Sequence, residues 1–118
     1  MRHLHGHKRI SRPTDQRIAL LRTQAKSLII SGEITTTHAK AKALARYVQK
    51  LVTLARKGDV ASLRNIRRQI DNRELVKKLK DEIVPKLRSD SGGEISVIRA
   101  GNRRGDGSEI AVITFNVE

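Results

Sequence analysis

From Thr37 to Gly58 the chain carries one unbroken helical pattern, in which Ala41, Leu44, Val48, Leu51, Val52 and Ala55 recur at three- and four-residue spacing on a single face. Thr37 offers a cap before this stretch and Gly58 a stop after it. The other face is unusual. No acidic residue lies between Glu33 and Asp59, although Lys40, Lys42, Arg46, Lys50, Arg56 and Lys57 all fall there. A solvated helix ordinarily mixes its signs to gain pairs four residues apart. This one must bury its apolar stripe in a core and present its other side to something negative.

The flanking segments follow from similar signals. Pro13-Thr14 starts a helix, with Thr14 as cap and Asp15 where negative charge suits the helix dipole. Ile18, Leu21, Ala25, Leu28 and Ile29 form its apolar face, and Gly32 ends it. Glu33 to Thr36 is β-branched and short, which predicts a strand. Asp59 caps a third helix bearing Leu63, Ile66 and Ile70; Asn72 caps a fourth bearing Leu75, Val76, Leu79 and Ile83. Pro85 disfavours helical geometry at Val84, so the fourth helix should stop or kink there. The period then changes. After the loop Ser91-Gly92-Gly93, Glu94 to Ala100 and Glu109 to Val117 read as strands, the second with Ala111, Ile113, Phe115 and Val117 on one face. Gly101 to Ser108 joins them as a hairpin tip. A lone hairpin is marginal in water, which favours recruiting Ile34 to Thr36 as a third strand. The expected fold is therefore α+β, a two-layer α-β-α(3)-β(2) arrangement with helices on one face of a small three-stranded sheet.

A length of 118 residues suits one globular domain, expected over residues 13–118. Residues 1–12 have neither period, carry four Lys or Arg and three His without an acid, and read as a basic N-terminal arm. The net charge is +13, and residues 1–58 hold 13 Lys or Arg against two acids, whereas residues 59–118 hold 12 against ten. The partner surface is thus expected mostly in the first half, and nucleic acid is the default partner for such a chain. No apolar run is long enough to span a bilayer, so no membrane is expected. The first nine residues lack the apolar core of a signal peptide, and there is no Cys, which removes disulfides, thiolate metal sites and cysteine nucleophiles. A cytoplasmic setting is compatible with both.

Candidate chemistry is sparse. His3, His5 and His7 alternate, but no carboxylate lies beside them, so hydrogen bonding near phosphates suits them better than a metal. The one carboxylate pair, Asp81-Glu82, diverges on a helix and reads as solvated partners for Lys77, Lys78 and Lys86. No catalytic set, cofactor, metal or small-molecule substrate is expected, and the chain reads as a non-enzyme. Arg104-Gly105-Asp106 matches an adhesion tripeptide, but nothing here supports secretion; turn chemistry explains the Gly and Asp. Arg103 and Arg104 at the hairpin tip read as a small phosphate contact. Thr36, Thr37, Lys40 and Lys42 gather at the start of the second helix, where cations oppose the dipole. Together with the backbone N–H groups there, they read as a phosphate site.

With Tyr47 and Phe115 as the two aromatic residues, bases cannot be stacked in series, so phosphate, ribose and shape contacts to folded RNA or duplex DNA remain. An architectural DNA-binding protein is the rival on charge alone; an RNA-processing enzyme would need an acid/base pair that the sequence does not offer. Met1-Arg2-His3, Lys8-Arg9 with Arg12, Arg17, Ile34-Thr35-Thr36-Thr37 followed by Lys40-Ala41-Lys42, Leu51 to Ala55, and Arg103-Arg104-Gly105-Asp106-Gly107 together resemble the bacterial large-subunit ribosomal protein seventeen family from end to end. That resemblance implies a structural, non-catalytic constituent of the 50S subunit that supports translation in the cytoplasm and binds 23S ribosomal RNA on the side where the nascent chain emerges. It implies contact with ribosomal protein thirty-two and the same α-β-α(3)-β(2) fold. The residues expected against rRNA are Arg2, His3, Lys8, Arg9, Arg12, Arg17, Thr36, Thr37, Lys40, Lys42, Arg46, Arg103 and Arg104.

Overall fold

The computed structural model describes residues 14–87 and 94–117. The arm, with Arg2, His3, Lys8, Arg9 and Arg12, and the Ser91-Gly92-Gly93 loop lie outside the described residues. The elements are α1 (Thr14–Ser31), β1 (Glu33–Thr37), α2 (His38–Lys57), α3 (Val60–Gln69), α4 (Arg73–Lys78), β2 (Ile95–Asn102) and β3 (Glu109–Phe115). The fold is α+β. Helices pack on one face of an antiparallel sheet ordered β1-β3-β2, so the strand between the first two helices is indeed recruited by the hairpin.

Local punctuation explains most boundaries. Gly32, at φ 84°, turns the chain out of α1 while its N–H closes on the Leu28 carbonyl at 2.7 Å. Gly58, at φ 68°, does the same for α2, and a side chain in this left-handed region would be strained. Asp59 accepts from the Ser62 N–H at 2.8 Å, and Asn72 accepts from the N–H groups of Glu74 and Leu75.

Several boundaries differ from expectation. Thr14 is the first helical residue rather than a flanking cap. Val84 stays helical at φ −58°, ψ −43°. The break in regular winding expected there takes the form of a wide π turn (Leu79–Ile83) after α4, followed by a 3-10 turn (Val84–Lys86). Pro85 then sits in the first turn of a new helical segment, where its missing N–H costs nothing. The strands are also shifted. β2 runs Ile95–Asn102 and β3 ends at Phe115, leaving Val117 54 % exposed rather than in the core.

The core is the α2 stripe against α1 and the sheet. Leu28 and Ile29 from α1 meet Leu44, Val48, Leu51 and Val52 from α2, with Ile113 from β3 beneath. Ile18, expected on this face, lies one turn too far toward the end of α1 and is exposed. Ala43, unread as core, is buried on the α2 flank. Glu94 is buried just before β2, where it accepts from Gln49 Nε2 at 2.6 Å and pairs with Arg56 Nη1 at 3.2 Å. One cation of the acid-free run is thereby answered by a carboxylate distant in sequence.

The Asp59 cap carries a pH signature. Hydrogen bonds from Ser62 hold its carboxyl below the ordinary value. Its stabilising contribution is therefore complete above the unfolded carboxylate pKa and disappears as pH falls through the lower, folded one. Asn caps as well as Asp but does not titrate. Asp59→Asn should melt near the wild-type temperature at pH 7 and lose less of that temperature than wild type between about pH 5 and 3, as circular-dichroism melts would record.

Candidate nucleic-acid interface

α2 turns its apolar stripe inward, which leaves Lys42, Arg46 and Lys50 exposed at successive four-residue steps. At 1.5 Å per residue they form a cationic row about 12 Å long. None of the three forms an ion pair among the described residues. Arg56, further along α2, is held by Glu94 and does not extend the row unopposed. Lys50 belongs to the row although it was not among the residues expected against rRNA. Its signal was present in the four-residue step from Arg46.

An open cleft of about 720 Å³ borders this row. Arg17 from α1 lines it together with Arg46 and Lys50, and Leu21, Ala43 and Ile95 give it an apolar lining. The Tyr47 ring stands in its wall, where burial pushes the phenol pKa up against the opposing pull of the Arg22 guanidinium. Cations around an apolar depression suit a ribose-phosphate chain, whose charge lies on one edge only.

The start of α2 is less convergent than the sequence implied. Residues two apart on a helix do not face each other. Lys42 is exposed in the row, whereas Lys40 is half-buried on another flank. Thr37 occupies the capping position at φ −67°, ψ 150°, yet its side chain makes no capping hydrogen bond. Thr36 is engaged elsewhere, its hydroxyl accepting from Gln24 Nε2 at 3.2 Å. A shallow depression here is lined by Thr37, His38, Lys42 and Ser108, and also by Glu109. Both His38 ring nitrogens are buried without a hydrogen-bond partner. The structure thus brings Thr37 and Lys42 together and leaves Lys40 apart.

At the hairpin tip, the Arg103 guanidinium is paired with a carboxylate while its side chain stays about half exposed. Its Nη2 lies 2.6 Å from Asp106 Oδ2, and its Nε donates to Oδ1 at 3.2 Å. This guanidinium, with help from the Ser108 N–H, holds the Asp106 carboxyl well below the usual carboxylate range. Both partners are about half exposed, so the pair orders the turn more than it stabilises the fold. Arg104 next to it is exposed. Among the described residues no group of three or more His, Asp or Glu is placed to hold a metal ion, and no helix is long and apolar enough to cross a membrane. His3, His5 and His7 lie outside those residues.

Residues 20–116 match the family described as Ribosomal protein L17. A relative from Coprothermobacter proteolyticus is 42 % identical over 116 residues, covering 98 % of this chain and 99 % of its own length. One from Thermus thermophilus is 44 % identical over 114 residues, covering 96 % and 97 %, and one from Campylobacter jejuni is 41 % identical over 115, covering 98 % of each. All three carry the name "Large ribosomal subunit protein bL17".

Proposed function

Because this chain belongs to the ribosomal protein L17 family, we propose that it is a structural constituent of the large ribosomal subunit and binds 23S ribosomal RNA there through phosphate, ribose and shape contacts. The observation that carries the RNA reading is the unopposed row Lys42, Arg46 and Lys50 beside a cleft that Arg17 also lines. Phosphate contacts of this kind fix position on the RNA and supply most of the affinity. Thr37 and Lys42 at the start of α2 add a second backbone contact, weakened by Glu109. Arg104 adds a small one at the hairpin tip. Arg2, His3, Lys8, Arg9 and Arg12 extend the contact from the arm.

The opposite face of the sheet has a different character. Thr35, Val112 and Ile98 stand in one cross-strand row there, and Ile98 is 57 % exposed. This row is uncharged and partly apolar, and the exposed charge beside it on β1 is the acid Glu33, so the surface suits a protein neighbour better than RNA. Ribosomal protein thirty-two is the neighbour proposed for it.

Sedimentation separates this reading from an architectural DNA-binding role. Tagged protein should travel stoichiometrically with 50S particles at low salt and be depleted from nucleoid fractions. Nucleoid association comparable to that with 50S particles would contradict the proposal.

A further inference from the structure

We propose that the groove between α3 and α4 is a second RNA-backbone site, so that one molecule holds two separate segments of the RNA; this rests on the RNA-binding reading above. On α3, Arg64 and Arg67 line the groove, and Arg73, Lys77 and Lys80 line it from α4 and the turn that follows. The spacing explains the convergence. Residues three, four and seven apart share a helix face, so the two helices turn rows of cations toward each other. Their side chains frame a depression of about 360 Å³ with Val60, Leu63 and Val76 as its apolar lining. Val60 is 65 % exposed there.

Five like charges around one groove oppose each other, and the fold does little to relieve them. Asp81 is the one carboxylate in the lining, and none of the five forms an ion pair among the described residues. Other acids close by in sequence, Asp71, Glu74 and Glu82, do not line the groove. A merely solvated surface gains from interspersed signs, whereas segregation of cations around an apolar floor matches a polymer with charge on its edge and riboses behind it. No residue of this groove lines the cleft beside α2. RNA bound at the two places would occupy two stretches of backbone.

Lysine acetylation of the full-length protein, free and bound to a transcript of the large-subunit RNA, tests the proposal by mass spectrometry. Lys77 and Lys80 should be protected alongside Lys42 and Lys50. Protection of Lys42 and Lys50 with Lys77 and Lys80 still reactive would overturn the second site while leaving the first intact. Protection of neither pair would overturn both. Arg67→Glu with Arg73→Glu, both exposed, should keep the circular-dichroism spectrum and reduce the slope of log affinity against log salt by about two. An unchanged slope would refute the site. If polyglutamate protects Lys77 and Lys80 as well as the transcript does at equal charge concentration, the groove is a site for an acidic protein segment and the RNA assignment fails.

Discussion

Replacing Lys42, Arg46 and Lys50 together by alanine should lower affinity for large-subunit RNA by a factor on the order of 10² to 10³ at 0.1 M salt. The magnitude follows from counterion release. Each phosphate contact contributes a slope near 0.9 in log affinity against log salt, which is about eightfold per contact between 1 M and 0.1 M. Three contacts multiply to roughly 500-fold. Stability should not suffer. All three side chains are exposed on α2, alanine is the strongest helix former, and their removal relieves repulsion along one face. Filter binding and thermal melts on one preparation separate the two effects. Lys40→Ala alone should matter less than Lys42→Ala, because Lys40 leaves the helix on another flank. Equal losses from the two single variants would show that the exposed row is not the contact.

Affinity of the intact protein for the same RNA should fall about 10³- to 10⁵-fold between 50 and 200 mM salt, the range for six to ten phosphate contacts. The α2 row, Arg17 and the arm residues reach that number. An interface built on base stacking would respond more weakly, and this chain has few rings to build one: Tyr47 is partly buried in the cleft wall and Phe115 is in the core. A response less than tenfold over this interval would exclude the electrostatic account.

Features encoded within a few residues of one another were legible in the sequence. Gly32, Gly58, Asp59 and Asn72 act on their own helix ends, and the α2 stripe is a matter of period alone. Features that depend on distant parts of the chain were not. Ile18 and Val117 continue their periodic patterns, but the packing partners stop short of them. Val84 precedes proline yet keeps helical dihedrals, at the junction of a π turn and a 3-10 turn that no local signal announces. Arg56 looked unopposed until Glu94, 38 positions later, met it beside Gln49. The pairing of Arg103 with Asp106 at the hairpin tip was not legible either, because it depends on how the turn folds back on itself.

Charge counting had a similar limit. Residues 59–118 are nearly balanced in number, which hid how the balance is distributed in space. Arg64, Arg67, Arg73, Lys77 and Lys80 converge on one groove, whereas Asp71, Glu74 and Glu82 do not line it. Reading α3 and α4 for cations at three- and four-residue spacing, rather than summing over the half-chain, would have found them. Lys40 and Lys42 show the opposite relation between sequence and space. Two residues apart in the sequence motif, they are turned to different flanks by the helix itself.

In the assembled subunit the exposed face of α2 is expected to lie against ribose-phosphate. A high-resolution structure of the assembled large subunit tests it most directly. Arg46 and Lys50 should each place a side-chain nitrogen within about 4 Å of an RNA phosphate oxygen. If both instead face bulk solvent or a protein neighbour in an intact particle, the account is wrong.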